Sequence, residues 1–244
     1  MSGHSKWSKI KNKKGTTDAK RGNLFTKLGK AITIVAQQGG GDPEMNFSLR
    51  IAIEKAKGAN MPKDNIEKAV KRGAGELKDG AQLQEVMYEG FGTKGVAVIV
   101  ECVTDNTNRT ISEVKNVFNK AGGSMGGSGS VSWQFQHLGV VHLAEENKEK
   151  VSNKKDEFEL ALIDAGADDI IDNETDLEIR ASIENLQKVL EAVQKFEIEP
   201  DESGLEWVAK ETIELDEEGS AKMEKLYDAL DDLEDVDNIY TNEA

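Results

Sequence analysis

The sequence predicts an α+β protein, with an N-terminal three-helix domain followed by two ferredoxin-like α+β domains, the third inserted within the second. Apolar residues recur at helical spacing before residue 75, and glycines separate the segments. After residue 80 the pattern becomes strand-like, and the stretch VAVIVECVT at 96–104 is rich in β-branched residues. From residue 139 to about 206 the pattern is β-α-β-β-α-β, which is typical of ferredoxin-like folds.

Three short helices are expected in the N-terminal domain. Thr16 to Asp18 supply N-cap oxygens for the first helix, and Gly39 to Gly41 end it. Asp42 and Pro43 predict the start of the second helix, as its N-cap and first helical residue. Pro62 opens the third. A lysine-rich segment, residues 2–15, leads into these helices and is called the basic arm below.

The remaining elements follow from periodicity and turn residues. Strands are predicted at 84–91, 96–104, 131–135, 140–144, 169–171, 177–181, within 206–215 and at 236–241. Helices are predicted at 106–121, 155–165, 183–196 and around 223–233. The expected domains are residues 1–79, residues 80–136 with 207–244, and the inserted residues 137–206.

Charge is distributed very unevenly along the chain. Residues 1–30 contain nine lysines and arginines and one aspartate, a local charge of +8 in a chain of net charge −15. Residues 145–206 alone carry −13. Many charged termini are merely solvated, but closely spaced cations also match a phosphate backbone, from which they release counterions. The pattern therefore indicates a nucleic-acid partner for the N-terminal end.

Composition argues against several other classes of protein. No run of eighteen apolar residues predicts a membrane span, and the N-terminus lacks the apolar stretch of a signal peptide. The single cysteine, Cys102, cannot form an internal disulfide, so we expect a cytoplasmic location. No Cys/His spacing indicates zinc, and the histidines lack the neighbours of a catalytic triad. We expect no cofactor, no metal, no membrane partner and no small-molecule substrate.

Two loops could be mistaken for chemical sites. The glycine-rich loop at 122–130 follows a helix and lacks the lysine of a phosphate-binding P-loop, so a flexible connection with close backbone approach is expected. At the next strand-to-helix junction, Asp105 or Asn106 is expected to cap the helix. Arg109 at that helix start could contact a phosphate or a carboxylate of a partner.

A few single residues allow two interpretations. Cys102 in an apolar strand is expected to be a buried, inert thiol. Trp133 and Trp207 are expected to be core residues on strands. Trp7 lies among lysines, where it could pack on the helical domain or stack on an exposed base.

Several short motifs together resemble the YebC/PmpR family, whose mitochondrial relative is the translational activator of cytochrome c oxidase. They are Gly3 to Trp7, Ile10-Lys11, Asp18 to Gly22, Phe25 to Leu28, Asn60 to Ile66, Tyr88 to Gly90, Thr104 to Asn106, Asn108 to Thr110, Gly122 to Ser124 and Gly129 to Val131. The resemblance extends over essentially the whole chain, apart from a more acidic and slightly irregular tail after Glu217.

The resemblance implies a three-domain fold and no known enzyme activity. Family members are described as probable transcriptional regulators that bind DNA, and others are linked to ribosomes stalled at proline runs and to ribosomal RNA. The second and third helices mix charges and offer few Asn, Gln or Arg for base edges, which favours backbone or RNA-shape binding.

The leading hypothesis is a non-enzymatic nucleic-acid-binding regulatory factor, a probable DNA-binding transcriptional regulator. The alternatives are a translation factor that binds the ribosome and ribosomal RNA, and a protein-interaction module built on residues 80–244. The candidate nucleic-acid-binding residues are His4, Lys6, Trp7, Lys9, Lys11, Lys13, Lys14, Lys20, Arg21, Lys27 and Arg109.

Overall fold

A computed structural model describes residues 18–77, 82–173 and 176–244 of the chain. It contains N-terminal helices followed by two separate four-stranded antiparallel sheets, each carrying helices. The predicted α+β class, with ferredoxin-like units, is confirmed. By internal packing, the described chain forms two compact units: residues 135–210, and the rest. The domain limits expected from the sequence stay a prediction.

Three helices form the N-terminal part: α1 at Asp18–Gly39, α2 at Phe47–Gly58 and α3 at Lys63–Gly73. Their shared core contains Leu28, Ile32, Ala36, Leu49 and Ile66, all of them buried. These residues lie at the helical spacing that the sequence displays, so the burial of one apolar face per helix explains why the three segments pack together.

The predicted start of the second helix at Asp42 and Pro43 is wrong. The N-cap is Asn46, whose side-chain oxygen accepts a hydrogen bond from the Leu49 amide at 3.1 Å. Its side-chain amide donates to the carbonyls of Val35 and Gly40, each at 2.9 Å. Asn46 therefore caps α2 and also binds the end of α1, whereas Asp42 accepts only from the nearby Glu44 amide.

The first sheet has the strand order β3-β1-β2-β8 and is antiparallel throughout. Its strands are β1 at Gln84–Phe91, β2 at Ala97–Thr104, β3 at Ser124–Met125 and β8 at Val236–Thr241. Helices α4 at Thr107–Lys120 and α8 at Glu217–Asp231 cover it with a core that includes Phe118, Tyr227 and Val100. The last helix and strand thus return to the first sheet, as the sequence predicts.

The second sheet lies within residues 135–210 and has the order β5-β6-β4-β7. Its strands are β4 at Phe135–Ala144, β5 at Ala167–Asp172, β6 at Asp176–Ala181 and β7 at Glu202–Ala209. The helices of this unit are α5 at Glu145–Val151, α6 at Lys155–Asp164 and α7 at Leu186–Gln194. All strand pairs are antiparallel, which is the arrangement of a split βαβ fold.

The predicted strand at 131–135 is wrong, and so is the core position of Trp133. Residues Ser132–Gln134 form a 3₁₀ turn, and the strand begins only at Phe135. Trp133 is 67% exposed, and its indole nitrogen donates to the Ser130 carbonyl at 3.1 Å. The alternating residues of this segment serve a turn, because its backbone amides are engaged by a carboxylate that is described below.

Trp207 lies on β7 as expected, but it is only half-buried. Its ring stacks on His137 of β4, with 4.6 Å between ring centroids and 14° between ring planes. The stack joins two residues that lie directly opposite each other in the β4–β7 pair.

Candidate nucleic-acid interface

The candidate residues of the basic arm lie outside the described part of the chain. These are His4, Lys6, Trp7, Lys9, Lys11, Lys13 and Lys14, and their roles stay predictions. The next two candidates, Lys20 and Arg21, lie in the first turn of α1. Arg21 is exposed, and its guanidinium carbon lies 5.4 Å from the centre of the Phe25 ring. Arg21 thus presents a charge to solvent while its stem covers an aromatic ring.

Lys27, one helical turn or two further along α1, has a different environment. It is buried, and its ammonium group donates to the Asp231 carboxylate at 2.8 Å and to the Asp231 carbonyl. Lys30 follows on the same face and donates to Asp235 at 2.5 Å and to the Glu234 carbonyl at 3.1 Å. The two ammonium groups are bound to residues 231–235, which is named the acidic loop here. They therefore serve to dock α1 on this loop.

Asp235 is the centre of this contact. Its carboxylate is 3% exposed and accepts from Lys30, from Arg109, from Thr110 at 2.8 Å and from Thr104 at 3.1 Å. Burial alone would raise the pKa of Asp235, but the hydrogen bonds from Lys30, Arg109 and Thr110 outweigh it and lower the pKa to about 2. The carboxylate thus joins α1 to the end of β2 and the start of α4.

Arg109 is part of the same network. Its guanidinium lies 2.8 Å from Asp235 and 3.0 Å from Asp105, and these hydrogen bonds, with Asp235 first, raise the pKa of the arginine. The expected cap is confirmed, because Asn106 accepts from the Arg109 amide at 3.1 Å. The structure therefore gives Arg109 two carboxylates of its own chain, where the sequence indicated a contact with a partner.

Helices α2 and α3 add exposed cations to this part of the molecule. Lys57 pairs with Glu54 and Lys63 pairs with Glu67, so two of the expected local ion pairs form. Five other exposed cations make no ion pair within the described residues: Arg50, Lys55, Lys68, Lys71 and Arg72. The helical part consequently presents more positive charge to solvent than its sequence pairing indicates.

The glycine-rich loop is fastened by a buried glutamate. The Glu89 carboxylate, 2% exposed, accepts from the backbone amides of Gly129 at 2.7 Å, Val131 at 2.6 Å and Ser132 at 2.8 Å. Burial opposes ionisation, but these backbone hydrogen bonds together lower the pKa of Glu89. The close backbone approach expected here is confirmed at Gly123, where an added Cβ would lie 2.6 Å from the Phe91 carbonyl oxygen.

This geometry also explains why the loop does not resemble a phosphate cradle. Amides that could converge on an anion already converge on Glu89. Glu89 lies on β1, and nothing in the sequence around it separates it from the many surface glutamates. The sequence analysis missed it for this reason.

The remaining reactive side chains have structural surroundings. Cys102 is 1% exposed and burial raises its pKa to about 12, so the expected inert thiol is confirmed. His142 is buried beside Glu206, with 3.2 Å between its Nε2 and the carboxylate. Among the described residues, no group of three or more His, Cys, Asp or Glu side chains has a geometry that could hold a metal ion. No helix in the described ranges is both long and apolar enough to span a bilayer.

The fold and the site define a class of α+β protein with a cationic helical N-terminal part and two antiparallel sheets. Comparison with known proteins gives the family. Residues 5–76 match the model of the TACO1/YebC protein N-terminal domain, and residues 83–243 match that of the TACO1/YebC second and third domain. The chain belongs to the TACO1/YebC family.

Relatives and a solved structure agree over nearly the full length. A protein of Persephonella marina, named a probable transcriptional regulatory protein, is 50% identical over 244 residues, covering 99% of this chain and 95% of its own. One of Thermoanaerobacter pseudethanolicus, also named a probable transcriptional regulatory protein, is 47% identical over 99% of this chain and 96% of its own. The crystal structure of a conserved hypothetical protein of Aquifex aeolicus matches with a TM-score of 0.85 at 41% identity, over 98% and 97% of the two chains.

Proposed function

We propose that this protein is a non-enzymatic, cytoplasmic regulatory factor that binds the phosphate backbone of a nucleic acid, and that it acts in transcription. The observation that carries the proposal is the separation of charge between the two ends of α1. Toward the N-terminus lie the cations of the basic arm, Lys20 and Arg21, whereas Lys27 and Lys30 are bound to the acidic loop. The names of the relatives support a regulatory role.

Two of the candidate residues receive a different role in this proposal. Lys27 and Arg109 hold α1 and α4 against Asp231 and Asp235, so we assign them to positioning. The nucleic-acid contacts are assigned to His4, Trp7 and the arm lysines, with Lys20 and Arg21. Because residues 135–210 contain eight lysines and arginines and twenty carboxylates, that unit repels a polyanion and favours one orientation on it.

The test replaces Lys9, Lys11, Lys13 and Lys14 with alanine and measures affinity for a DNA duplex as a function of salt concentration. The salt slope should fall by about 3 to 4, because each lost phosphate contact contributes about 0.9. A matched control replaces Lys150, Lys154, Lys188 and Lys195, which remove the same charge from the inserted unit. Equal slopes for wild type and the arm variant would overturn the proposal.

A second candidate function is translation through ribosomal RNA. The exposed side chains of α2 and α3 are mainly lysines and carboxylates, which suit backbone contacts better than base reading. Cosedimentation with ribosomes that survives DNase and is lost after RNase would favour translation. A footprint on one promoter at physiological salt would favour transcription.

A further inference from the structure

A groove on the first sheet's helical layer has the chemistry of a second nucleic-acid contact. It lies between the C-terminal end of α4 and the middle of α8 and has a volume of about 550 Å³. Three lysines, Lys120, Lys222 and Lys225, line it. The apolar part of the lining includes Val117, Ala121 and Ala229. A volume of this size is in the range of small-molecule sites, and a nucleotide unit fits within it.

The charges of the groove are unusual for their position in the chain. Residues 207–244 contain three lysines and thirteen carboxylates, yet two of those three lysines line the groove. Lys222 pairs with Glu218 at 2.8 Å. Lys120 and Lys225 are exposed and make no ion pair within the described ranges. Lys120 also lies in the last turn of α4, where its charge offsets the partial negative charge of the helix end.

The combination of lysines and small apolar residues selects the ligand. An acidic peptide would use the lysines, but it would have no use for an open floor of valine and alanine wide enough for a planar ring. An unpaired nucleotide uses both, because its phosphate is anionic and its base has two apolar faces. A duplex would present only phosphates, since its bases are stacked inside.

We propose that the groove between α4 and α8 binds an unpaired segment of a nucleic-acid strand, with phosphates at Lys120, Lys222 and Lys225 and a base against Val117, Ala121 and Ala229. The inference rests on the proposed function and adds a substrate preference to it. The basic arm supplies affinity for any backbone, and the groove adds a preference for single strands over duplexes.

The test compares binding of a fluorescein-labelled oligouridylate and of a DNA duplex to the full chain. In the variant Lys120→Ala/Lys225→Ala, we expect the salt slope for the single strand to fall by about 1.4, since each single-strand phosphate contributes about 0.7. Its affinity should fall about tenfold at physiological salt, while duplex binding changes little. The control Lys188→Ala/Lys195→Ala removes two exposed lysines from the inserted unit and should leave both ligands unaffected.

A second variant separates the base contact from the charge. Ala229→Phe fills the groove without altering any charge, and it should weaken single-strand binding with the salt slope unchanged. Circular dichroism confirms that each variant is folded. The inference is overturned if Lys120→Ala/Lys225→Ala binds the oligouridylate as well as the control does. If the wild-type chain binds neither ligand, the proposed function fails instead, and the arm variant measured alongside distinguishes the two results.

Discussion

The two ends of helix α1 carry similar cations with different roles. Arg21 near its start is exposed, whereas Lys27 and Lys30 further along are bound to Asp231 and Asp235 of the acidic loop. In the sequence these residues belong to one basic stretch. The difference is set by a loop more than two hundred residues away, so local charge identifies a basic segment without showing which of its cations can reach a partner.

Removal of Asp235 should have the largest effect on this contrast. Asp235→Ala leaves Lys30 and Arg109 without their shared carboxylate, and it should lower the free energy of unfolding by about 3 kcal/mol. Asp231→Ala is the matched control, because its carboxylate is 33% exposed and pairs with Lys27 alone. We expect it to cost about 1 kcal/mol. Urea unfolding of both variants at pH 7 measures the difference, and equal costs would mean that Asp235 is not the centre of the contact.

The same comparison applies to two glutamates of the first sheet's unit. Glu89 is buried and accepts from three backbone amides, whereas Glu113 is exposed on α4. Glu89→Gln should cost about 2 kcal/mol, because hydrogen bonds to a charged acceptor are lost. Glu113→Gln should cost less than about 0.5 kcal/mol. Urea unfolding at pH 7 tests this pair, and a Glu89→Gln variant as stable as Glu113→Gln would contradict the assigned role of Glu89.

The pH dependence of stability should report Asp235 directly. Its folded pKa of about 2 is below the ordinary value of 3.8, so its contribution is fully present above about pH 4. The contribution is then lost as the pH falls through the folded pKa. Asp235→Asn should therefore unfold with a shallower loss of stability between about pH 4 and pH 2 than wild type. An unchanged acid limb, measured by urea unfolding at several pH values, would show that the carboxylate is not stabilised in this way.

Much of the fold could be predicted from the sequence, because its elements are specified locally. The strands at Gln84–Phe91 and Val236–Thr241 were predicted at their observed bounds, since β-branched runs and flanking turn residues mark both ends. The start of α2 could not be predicted in the same way. Asp42-Pro43 has the usual pattern of a helix start, but Asn46 also binds the carbonyls at the end of α1, and that contact depends on tertiary structure.

The site was less predictable than the fold. Asp235 lies in an acidic run with Asp231, Asp232 and Glu234, and no local pattern separates the buried residue from its exposed neighbours. Trp133 alternates with polar residues as a core strand residue does, yet Glu89 binds the backbone amides around it and the chain turns. In each case a distant partner decides the role, and one sequence contains no sign of that partner.

The most direct test of the account compares two pairs of cations on α1. One variant is Lys20→Ala/Arg21→Ala and the other is Lys27→Ala/Lys30→Ala, and the measurement is the salt dependence of nucleic-acid affinity for each folded protein. The account predicts that the first pair lowers the salt slope by up to about 1.8, whereas the second leaves the slope unchanged and lowers stability. A slope lowered by the second pair and unchanged in the first would contradict it.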